Sequence, residues 1–309
     1  VPLPRLKMEI SIKCDNACRS GKVYLNWLEL EDFPEAIYEN ASKIKEIRFV
    51  GNCMRTMNPQ IGKFENLRIA YLSANKIESL PNTFGDCKIL EELYLSENLI
   101  SEIPNSICRL PQLKVLNFAH NRLKAVPKRL KTMRKLEVLN LDSNVIKEVP
   151  DGMEQMKKLV RLSLGSNKIK HLPLNFGLMP SLTFINLNSN LLRRIPDSFA
   201  NFENLRELRL ASNRLVALPK EIGRDIDVEG MYSSVRNSVG EAQKEHNKIG
   251  DGTIISESNI SDKFADGLDE LTDRFEAGAS KLKIAAAKKA KKIKKQLLRY
   301  VKHISRDPA

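Results

Sequence analysis

The chain has 309 residues, of which 42% are apolar, and its formal net charge is +13 at pH 7. This length and apolar content suffice for a substantial core, and no stretch reaches the roughly 20 apolar residues of a membrane span. The last of the five cysteines is Cys108, and their odd number favours a reducing, intracellular compartment. We expect a cytoplasmic protein. A mitochondrial location stays open as an alternative, because the sequence begins at Val1 and a leader could precede it.

Residues 1–43 contain an imperfect copy of a motif that becomes regular later in the chain. Leu28 stands where the later copies have asparagine, although the surrounding apolar residues and a proline keep their spacing. These residues are Val23, Leu25, Leu30, Phe33 and Pro34. We therefore predict an N-terminal cap with a degenerate first repeat over residues 1–43.

From residue 44 onward, asparagine recurs at a constant interval with the same apolar residues around it. The recurring residues are Asn52, Asn75, Asn98, Asn121, Asn144, Asn167, Asn190 and Asn213. The unit reads LxxLxLxxNxLxxIPxxIxxL, and a strict period of this length is typical of a solenoid, in which each unit buries its apolar edge against its neighbours. The alternating LxL part predicts a short strand, and stacked coils would pair these strands in a parallel sheet. We predict eight repeats over residues 44–227, the last of them incomplete.

The asparagine and the proline of the repeat unit have separate predicted roles. A buried asparagine amide offers two donors and an acceptor, so stacked asparagines are expected to bond the turns of adjacent coils. The proline six residues later fixes φ and lacks an N–H group, which favours an extended or short 3₁₀ return over a long helix. We therefore expect a narrow return side and a gently curved arc.

The pattern resembles the leucine-rich repeat family, and within it the intracellular 23-residue class with IPxxI on the convex side, to which Ras-group and Scribble-type repeat proteins belong. It matches residues 44–222 strongly and residues 23–43 weakly. The resemblance implies an α/β solenoid with a parallel sheet on its concave side and short 3₁₀ or extended convex returns. It leaves function open, because this fold serves receptors, phosphatase regulators, axonemal proteins and RNA-associated proteins. Extracellular members share disulfide-closed caps at both ends, whereas no cysteine lies beyond Cys108 here.

In the geometry of this family, the residues that flank the inward leucine of each strand face the concave side. Tyrosines cluster at the N-terminal end of that face, and amides and small residues fill its middle. Tyrosine and arginine often anchor protein interfaces, so we predict a protein-binding surface with Tyr71 and Tyr94 as its main anchors. The alternative is that exposed strand positions merely tolerate these residue types. The predicted contact residues are Arg48, Tyr71, Glu92, Tyr94, Asn117, Asn140, Arg161, Phe184 and Arg209.

A cluster of basic residues is predicted on the convex side, between Arg122 and Lys135. Charges at convex positions usually form a solvated surface. A local cluster of one sign also fits an acidic partner, such as a phosphate backbone or an acidic protein surface. The residues predicted to bind are Lys128, Arg129, Lys131, Arg134 and Lys135.

The chain changes character after the repeats. We predict a C-terminal cap and linker over residues 228–261, followed over residues 262–309 by an amphipathic helix and then a basic helix. Residues 280–309 carry eleven Lys or Arg side chains against one carboxylate, Asp307. RNA or a ribonucleoprotein, an acidic protein surface and an anionic membrane all fit this tail, and the lack of Trp and Phe there disfavours the membrane. Its predicted binding residues are Lys288, Lys289, Lys291, Lys292, Lys294, Lys295 and Arg299.

No catalytic constellation emerges from the sequence. His120 is expected to face the concave side near Asp142, but no serine or cysteine is placed to complete a triad. The chain has neither a GxxxxGK[ST] phosphate loop nor an HExxH zinc motif. Cys14 and Cys18 form a lone CxxxC, which is more typical of structural cysteines than of a zinc site. We therefore predict a non-enzymatic protein without cofactor or metal.

Two hypotheses for function follow. The first is a monomeric intracellular scaffold or adaptor that binds a protein partner on its concave face and an acidic surface with its basic C-terminal helix. The second is a structural subunit of a large ribonucleoprotein or of a cytoskeletal or axonemal assembly. In that case the basic convex cluster and the tail would supply most of the affinity.

Overall fold

A computed structural model describes residues 3–216 of the chain, and it shows a single sheet of nine parallel strands in chain order. Successive strands pair one repeat apart. The strands are β1 Lys22–Tyr24, β2 Glu46–Arg48, β3 Ile69–Tyr71, β4 Glu92–Tyr94, β5 Val115–Asn117, β6 Val138–Asn140, β7 Arg161–Ser163, β8 Phe184–Asn186 and β9 Glu207–Arg209. This confirms the predicted α/β solenoid and its parallel sheet.

The chain returns from each strand to the next through short helical turns, as the prolines predict. Several 3₁₀ helices begin directly after a proline whose φ is near −65°, for example Pro81 at −69° and Pro127 at −65°. The 3₁₀ helices are Ala41–Lys43, Pro59–Lys63, Asn82–Asp86, Ile107–Arg109, Lys128–Thr132, Met153–Gln155, Phe176–Leu178 and Asp197–Asn201. Within residues 3–216, no helix is long and apolar enough to cross a bilayer.

The repeated asparagines connect adjacent coils in the way their chemistry predicts. Asn98 is buried, and its Nδ2 donates to the carbonyl of Leu72 in the preceding coil at 3.0 Å and to that of Leu95 in its own coil at 3.1 Å. Its Oδ1 accepts from the amide of Ile77 at 3.0 Å. The same arrangement recurs from coil to coil up to Asn213.

The residue before each asparagine adopts a left-handed backbone conformation. Its φ lies between 52° and 57° in the seven coils from Ala74 onward, although none of these residues is glycine. These residues are Ala74, Glu97, His120, Ser143, Ser166, Ser189 and Ser212. A left-handed residue costs about 1–2 kcal/mol outside glycine, so the hydrogen bonds of the following asparagine must hold the turn in place.

The N-terminal cap is a helix that the sequence analysis did not identify. Helix α1 spans Leu3–Ser20, and a second, short helix α2 spans Glu35–Glu39. Ile10, Cys14 and Ala17, spaced four and three residues apart, turn towards the core, and this helical spacing was visible in the sequence. Gly21 ends α1 with a φ of 73°, where its amide bonds the carbonyl of Ala17 at 2.8 Å.

Several predictions lie outside the described residues. These are the end of the last repeat after residue 216, the C-terminal cap and linker over 228–261, and the helical tail over 262–309 with all of its basic residues.

Replacing one repeated asparagine by alanine should destabilise the fold measurably. Asn121 donates to Leu95 at 2.8 Å and accepts from Ile100 at 2.9 Å, so Asn121→Ala leaves buried backbone groups of two coils without partners. We expect a loss of about 1–3 kcal/mol in the free energy of unfolding, measured by urea denaturation. Asn105→Ala, at an exposed turn position, is the matched control. Equal stability of the two variants would contradict the structural role of Asn121.

Candidate protein-binding surface

The strand register aligns the first and third residues of each strand into two columns, which we define as the concave face. The second residue of each strand is buried. The third residues form one column: Tyr24, Arg48, Tyr71, Tyr94, Asn117, Asn140, Ser163, Asn186 and Arg209. The first residues form a second column beside it. Side chains one repeat apart are therefore direct neighbours across parallel strands.

Four residues of the third-residue column stack on one another at the N-terminal end, and we call them the tyrosine–arginine stack: Tyr24, Arg48, Tyr71 and Tyr94. The rings of Tyr71 and Tyr94 are parallel within 6°, with centroids 4.7 Å apart. The guanidinium carbon of Arg48 lies 4.9 Å from the ring centroid of Tyr71 and 5.3 Å from that of Tyr24. Such cation–π contacts hold the guanidinium in place, and Arg48 Nε also bonds Glu46 Oε1 at 2.6 Å.

The hydroxyl group at the end of the stack is held in its neutral form. Tyr94 Oη donates to Glu92 Oε2 at 2.9 Å. Burial, followed by the hydrogen bond to Glu92, raises the pKa of Tyr94 to about 12. Tyr94 therefore presents an orientated hydroxyl group and a fixed ring edge to solvent at neutral pH.

Trp27 is a further exposed aromatic residue, in the first coil, that was not identified from the sequence. Its side chain is 72% exposed, and it lies against Gly51 so closely that a Cβ atom on that glycine would collide with the indole ring. Trp27 occupies the left-handed turn position of the first coil, with a φ of 59°. The signal was present in the sequence, since the only tryptophan directly precedes Leu28, which replaces the repeated asparagine.

The middle of the concave face is polar, and several of its side chains form hydrogen bonds with nearby backbone amides. The Oδ1 atoms of Asn117 and Asn140 accept from the amides of Ala119 and Asp142, at 2.9 and 3.0 Å, so both side chains also cap their own strand ends. Asp142 accepts from the amide of Gly165 at 2.5 Å, and burial raises the pKa of its carboxyl group above the ordinary value. Within residues 3–216, the amide nitrogens of Asn117 and Asn140 donate no hydrogen bond, whereas that of Asn186 donates to Asp142 at 3.3 Å.

Phe184, one of the predicted contact residues, is the first residue of β8, and its side chain is largely covered. Its side chain is only 6% exposed, because the guanidinium groups of Arg161 and Arg209 lie 4.1 and 5.2 Å from its ring centroid. The two arginines form the accessible surface at this end. Arg209 Nε also bonds Glu207 Oε1 at 2.6 Å, as Arg48 bonds Glu46.

Comparison with known proteins identifies the solenoid. The sequence matches the family model for the leucine-rich repeat over residues 65–123, 134–192 and 158–215. The described solenoid is a leucine-rich repeat domain. No curated protein sequence matches the chain significantly.

Three solved structures show similar leucine-rich repeat domains. A leucine-rich repeat protein from Leptospira interrogans aligns over 62% of this chain and 49% of its own, with 33% identity and a TM-score of 0.60. The plant peptide hormone receptor RGFR1, in complex with RGF2, aligns over 62% of this chain and 32% of its own, with 27% identity and a TM-score of 0.55. The third structure is the ectodomain of the receptor kinase GASSHO1/SCHENGEN3 from Arabidopsis thaliana, in complex with CASPARIAN STRIP INTEGRITY FACTOR 2. It aligns over 60% of this chain and 23% of its own, with 28% identity and a TM-score of 0.53. The chain therefore spans at most about half the length of these relatives.

The predicted convex basic cluster lies on two adjoining segments of the leucine-rich repeat domain. Lys128, Arg129 and Lys131 belong to the 3₁₀ helix Lys128–Thr132, whereas Arg134 and Lys135 lie in the turn that leads to β6. Lys131 is half-buried because its side chain packs against Gly152 of the next coil. The other four side chains are exposed.

The described part of the leucine-rich repeat domain offers no metal-binding group of three or more His, Cys, Asp or Glu residues. All five cysteines are free thiols. Burial raises the pKa of Cys87 to about 12 and that of Cys108 to about 11. These two thiols therefore stay protonated at neutral pH, and they pack as small apolar side chains of the core.

The titration of Tyr94 tests the geometry of the tyrosine–arginine stack. Its pKa in the folded state is about 12 against an ordinary value of 10.0, so the folded state holds the proton more tightly. The resulting stabilisation is complete below pH 10 and is lost as the pH rises towards 12. We expect a ¹³C-tyrosine NMR titration to show this late ionisation, and Tyr94→Phe to remove it. Glu92→Gln should lower the pKa, because it removes the charge that accepts the hydroxyl proton; an unchanged pKa would refute this contact.

Proposed function

We propose that the chain is a non-catalytic intracellular adaptor that binds a protein partner on the concave face of its leucine-rich repeat domain. Leucine-rich repeat domains are in general protein-binding modules. Two similar structures are receptor domains in complex with RGF2 and with CASPARIAN STRIP INTEGRITY FACTOR 2. The five free thiols support an intracellular location.

The tyrosine–arginine stack is the single observation that carries this proposal. Tyr71 and Tyr94 hold each other parallel at 4.7 Å, and Arg48 is fixed between two rings and Glu46. A partner that docks here loses little side-chain entropy, since these residues are already ordered by one another. Tyrosine and arginine are also the residue types that dominate binding energy at protein interfaces. We place the main contact at this end of the face, with Asn117, Asn140, Arg161 and Arg209 as further contacts.

Loss of the stacked rings should weaken partner binding without unfolding the domain. The double variant Tyr71→Ala, Tyr94→Ala removes two anchors, for which we expect a loss of about 2 kcal/mol or more, roughly thirtyfold in Kd. Tyr71→Phe with Tyr94→Phe is the matched control, because it keeps the rings and removes only the hydroxyl groups. Binding would be measured on the captured partner by titration, with circular dichroism as a check of folding.

A photo-crosslinker locates the partner before it is identified. We expect a benzoylphenylalanine at position 115, on the concave face, to crosslink one protein in living cells. The same group at position 155, in the 3₁₀ helix Met153–Gln155 of the return side, should not crosslink that protein. Equal crosslinking from both positions would contradict the assignment of the concave face.

The second candidate function is a structural subunit of a ribonucleoprotein or filament assembly. The exposed side chains of Lys128, Arg129, Arg134 and Lys135 support it, together with the basic composition of residues 280–309. Phosphate contacts of this kind need no sequence information and weaken steeply with salt.

Fractionation separates the two candidate functions. Under the adaptor proposal, we expect the chain to keep one stoichiometric protein partner after treatment with RNase. Co-sedimentation with large particles that disappears after RNase treatment would instead support the ribonucleoprotein.

A further inference from the structure

A row of basic side chains follows the edge of the domain where each strand has ended. After each repeated asparagine from Asn52 to Asn190, the residues two and five positions on are buried apolar residues, such as Leu123 and Val126. The residues one, three and four positions on therefore face outward. In the last five coils these positions hold eight Lys or Arg residues and one acid, Glu148. We call the eight the basic ridge: Arg122, Lys124, Lys147, Lys168, Lys170, Arg193, Arg194 and Arg214.

The fold aligns one position of this ridge into a column. Lys124, Lys147, Lys170 and Arg193 occupy the same position in four consecutive coils. The backbone amide of Lys147 donates to the carbonyl of Lys124 at 3.4 Å, and that of Val216 donates to Arg193 at 3.2 Å, so the loops stack in register. Parallel strands lie about 4.8 Å apart, so one cation follows another at steps of about 5 Å.

The ridge carries charge that the domain does not neutralise. All eight side chains are exposed, and none of them forms an ion pair with a carboxylate within residues 3–216. Other cations of the domain are paired, for example Lys114 with Glu91 at 2.6 Å. Like charges at this spacing repel each other, and a bound anion would relieve that repulsion.

The same loop positions in the first four coils have the opposite character. They hold five acidic residues against two basic residues, Arg55 and Lys76. The acidic residues are Glu29, Glu31, Asp32, Glu78 and Glu102. Basic charge is therefore not a general requirement of this loop; it is confined to the coils that form the ridge.

Exposed apolar side chains adjoin the ridge. Leu174 is 82% exposed and Leu178 is 44% exposed, and both follow closely after Lys170 in the same coil. Asp151 and Asp197 occupy the position of Leu174 in the two neighbouring coils and are also exposed. A ligand that lies along the ridge would therefore contact the basic side chains first and then the exposed leucines, which have Asp151 and Asp197 on either side.

We propose that the basic ridge binds an acidic, amphipathic helix of a partner protein, independently of the concave face. Residues three and four apart on a helix lie about 5–6 Å from each other, which matches the step between ridge cations. The apolar stripe of such a helix would cover Leu174 and Leu178. A single-stranded nucleic acid fits less well, because the ridge positions hold no Phe, Tyr or Trp on which bases could stack.

The experiment uses the full chain and a labelled synthetic helix with glutamates three and four residues apart and a leucine stripe. The ridge variant is Lys124→Glu, Lys147→Glu, Lys170→Glu. The control variant is Lys45→Glu, Lys157→Glu, Lys158→Glu, which makes the same charge change at exposed positions before the strands. We expect the ridge variant to bind the peptide roughly tenfold more weakly than the control variant does.

Acetylation footprinting by mass spectrometry separates the ridge from the basic residues beyond the described part. In the unmodified chain, the peptide should slow acetylation of Lys124, Lys147 and Lys170 by about threefold or more, and leave the acetylation rates of Lys45, Lys157 and Lys158 unchanged. Leu174→Asn, which removes the apolar side chain without adding charge, should weaken binding of the leucine-striped peptide and leave binding of a poly-glutamate peptide unaffected.

Three results would overturn the proposal. Equal loss of binding in the ridge and control variants would show an effect of net charge alone. An unchanged affinity of the Leu174→Asn variant for the leucine-striped peptide would remove the apolar contact from the proposal. Tighter binding of an RNA duplex than of the peptide, lost in the ridge variant, would make the ridge a nucleic-acid site.

Discussion

A buried amide side chain joins each coil of this domain to the one before it. Asn98 satisfies carbonyl groups of its own strand end and of the preceding coil, and it accepts an amide of that coil as well. Because the next asparagine does the same, every coil is bonded to two neighbours through identical contacts. Each coil therefore depends for its stability mainly on the coils directly before and after it. The left-handed turns before the asparagines persist because these bonds hold them.

The surfaces of the domain follow from that bonded register. Since the period is constant, equal positions of successive coils become adjacent, and a residue type repeated at that period becomes a continuous row. The tyrosine–arginine stack and the basic ridge are two such rows, on the strands and on the loops that follow them. The rows use different positions of the repeat, so a change in one leaves the chemistry of the other intact. A rigid frame of this kind presents several independent surfaces at fixed spacing.

The repeat was predictable from sequence because its signal is periodic. The strands, the inward leucines, the bonding of the asparagines and the columns of the concave face all follow from one constant offset along the chain. Helix α1 was missed because it stands outside the repeat, and its Ile10, Cys14 and Ala17 spacing is a single weak signal. The burial of Phe184 could not be predicted, since it depends on where the long side chains of Arg161 and Arg209 come to rest. Trp27 was overlooked because the repeat is degenerate there.

Helix α1 covers the N-terminal edge of the sheet. Cys14 and Ala17 are buried where α1 packs on β1, whose outer side would otherwise lack a neighbour. An uncovered parallel edge is a template onto which the strand of another copy can add. Proteolytic removal of the segment before Gly21 would therefore expose the edge of β1 to a strand of another copy.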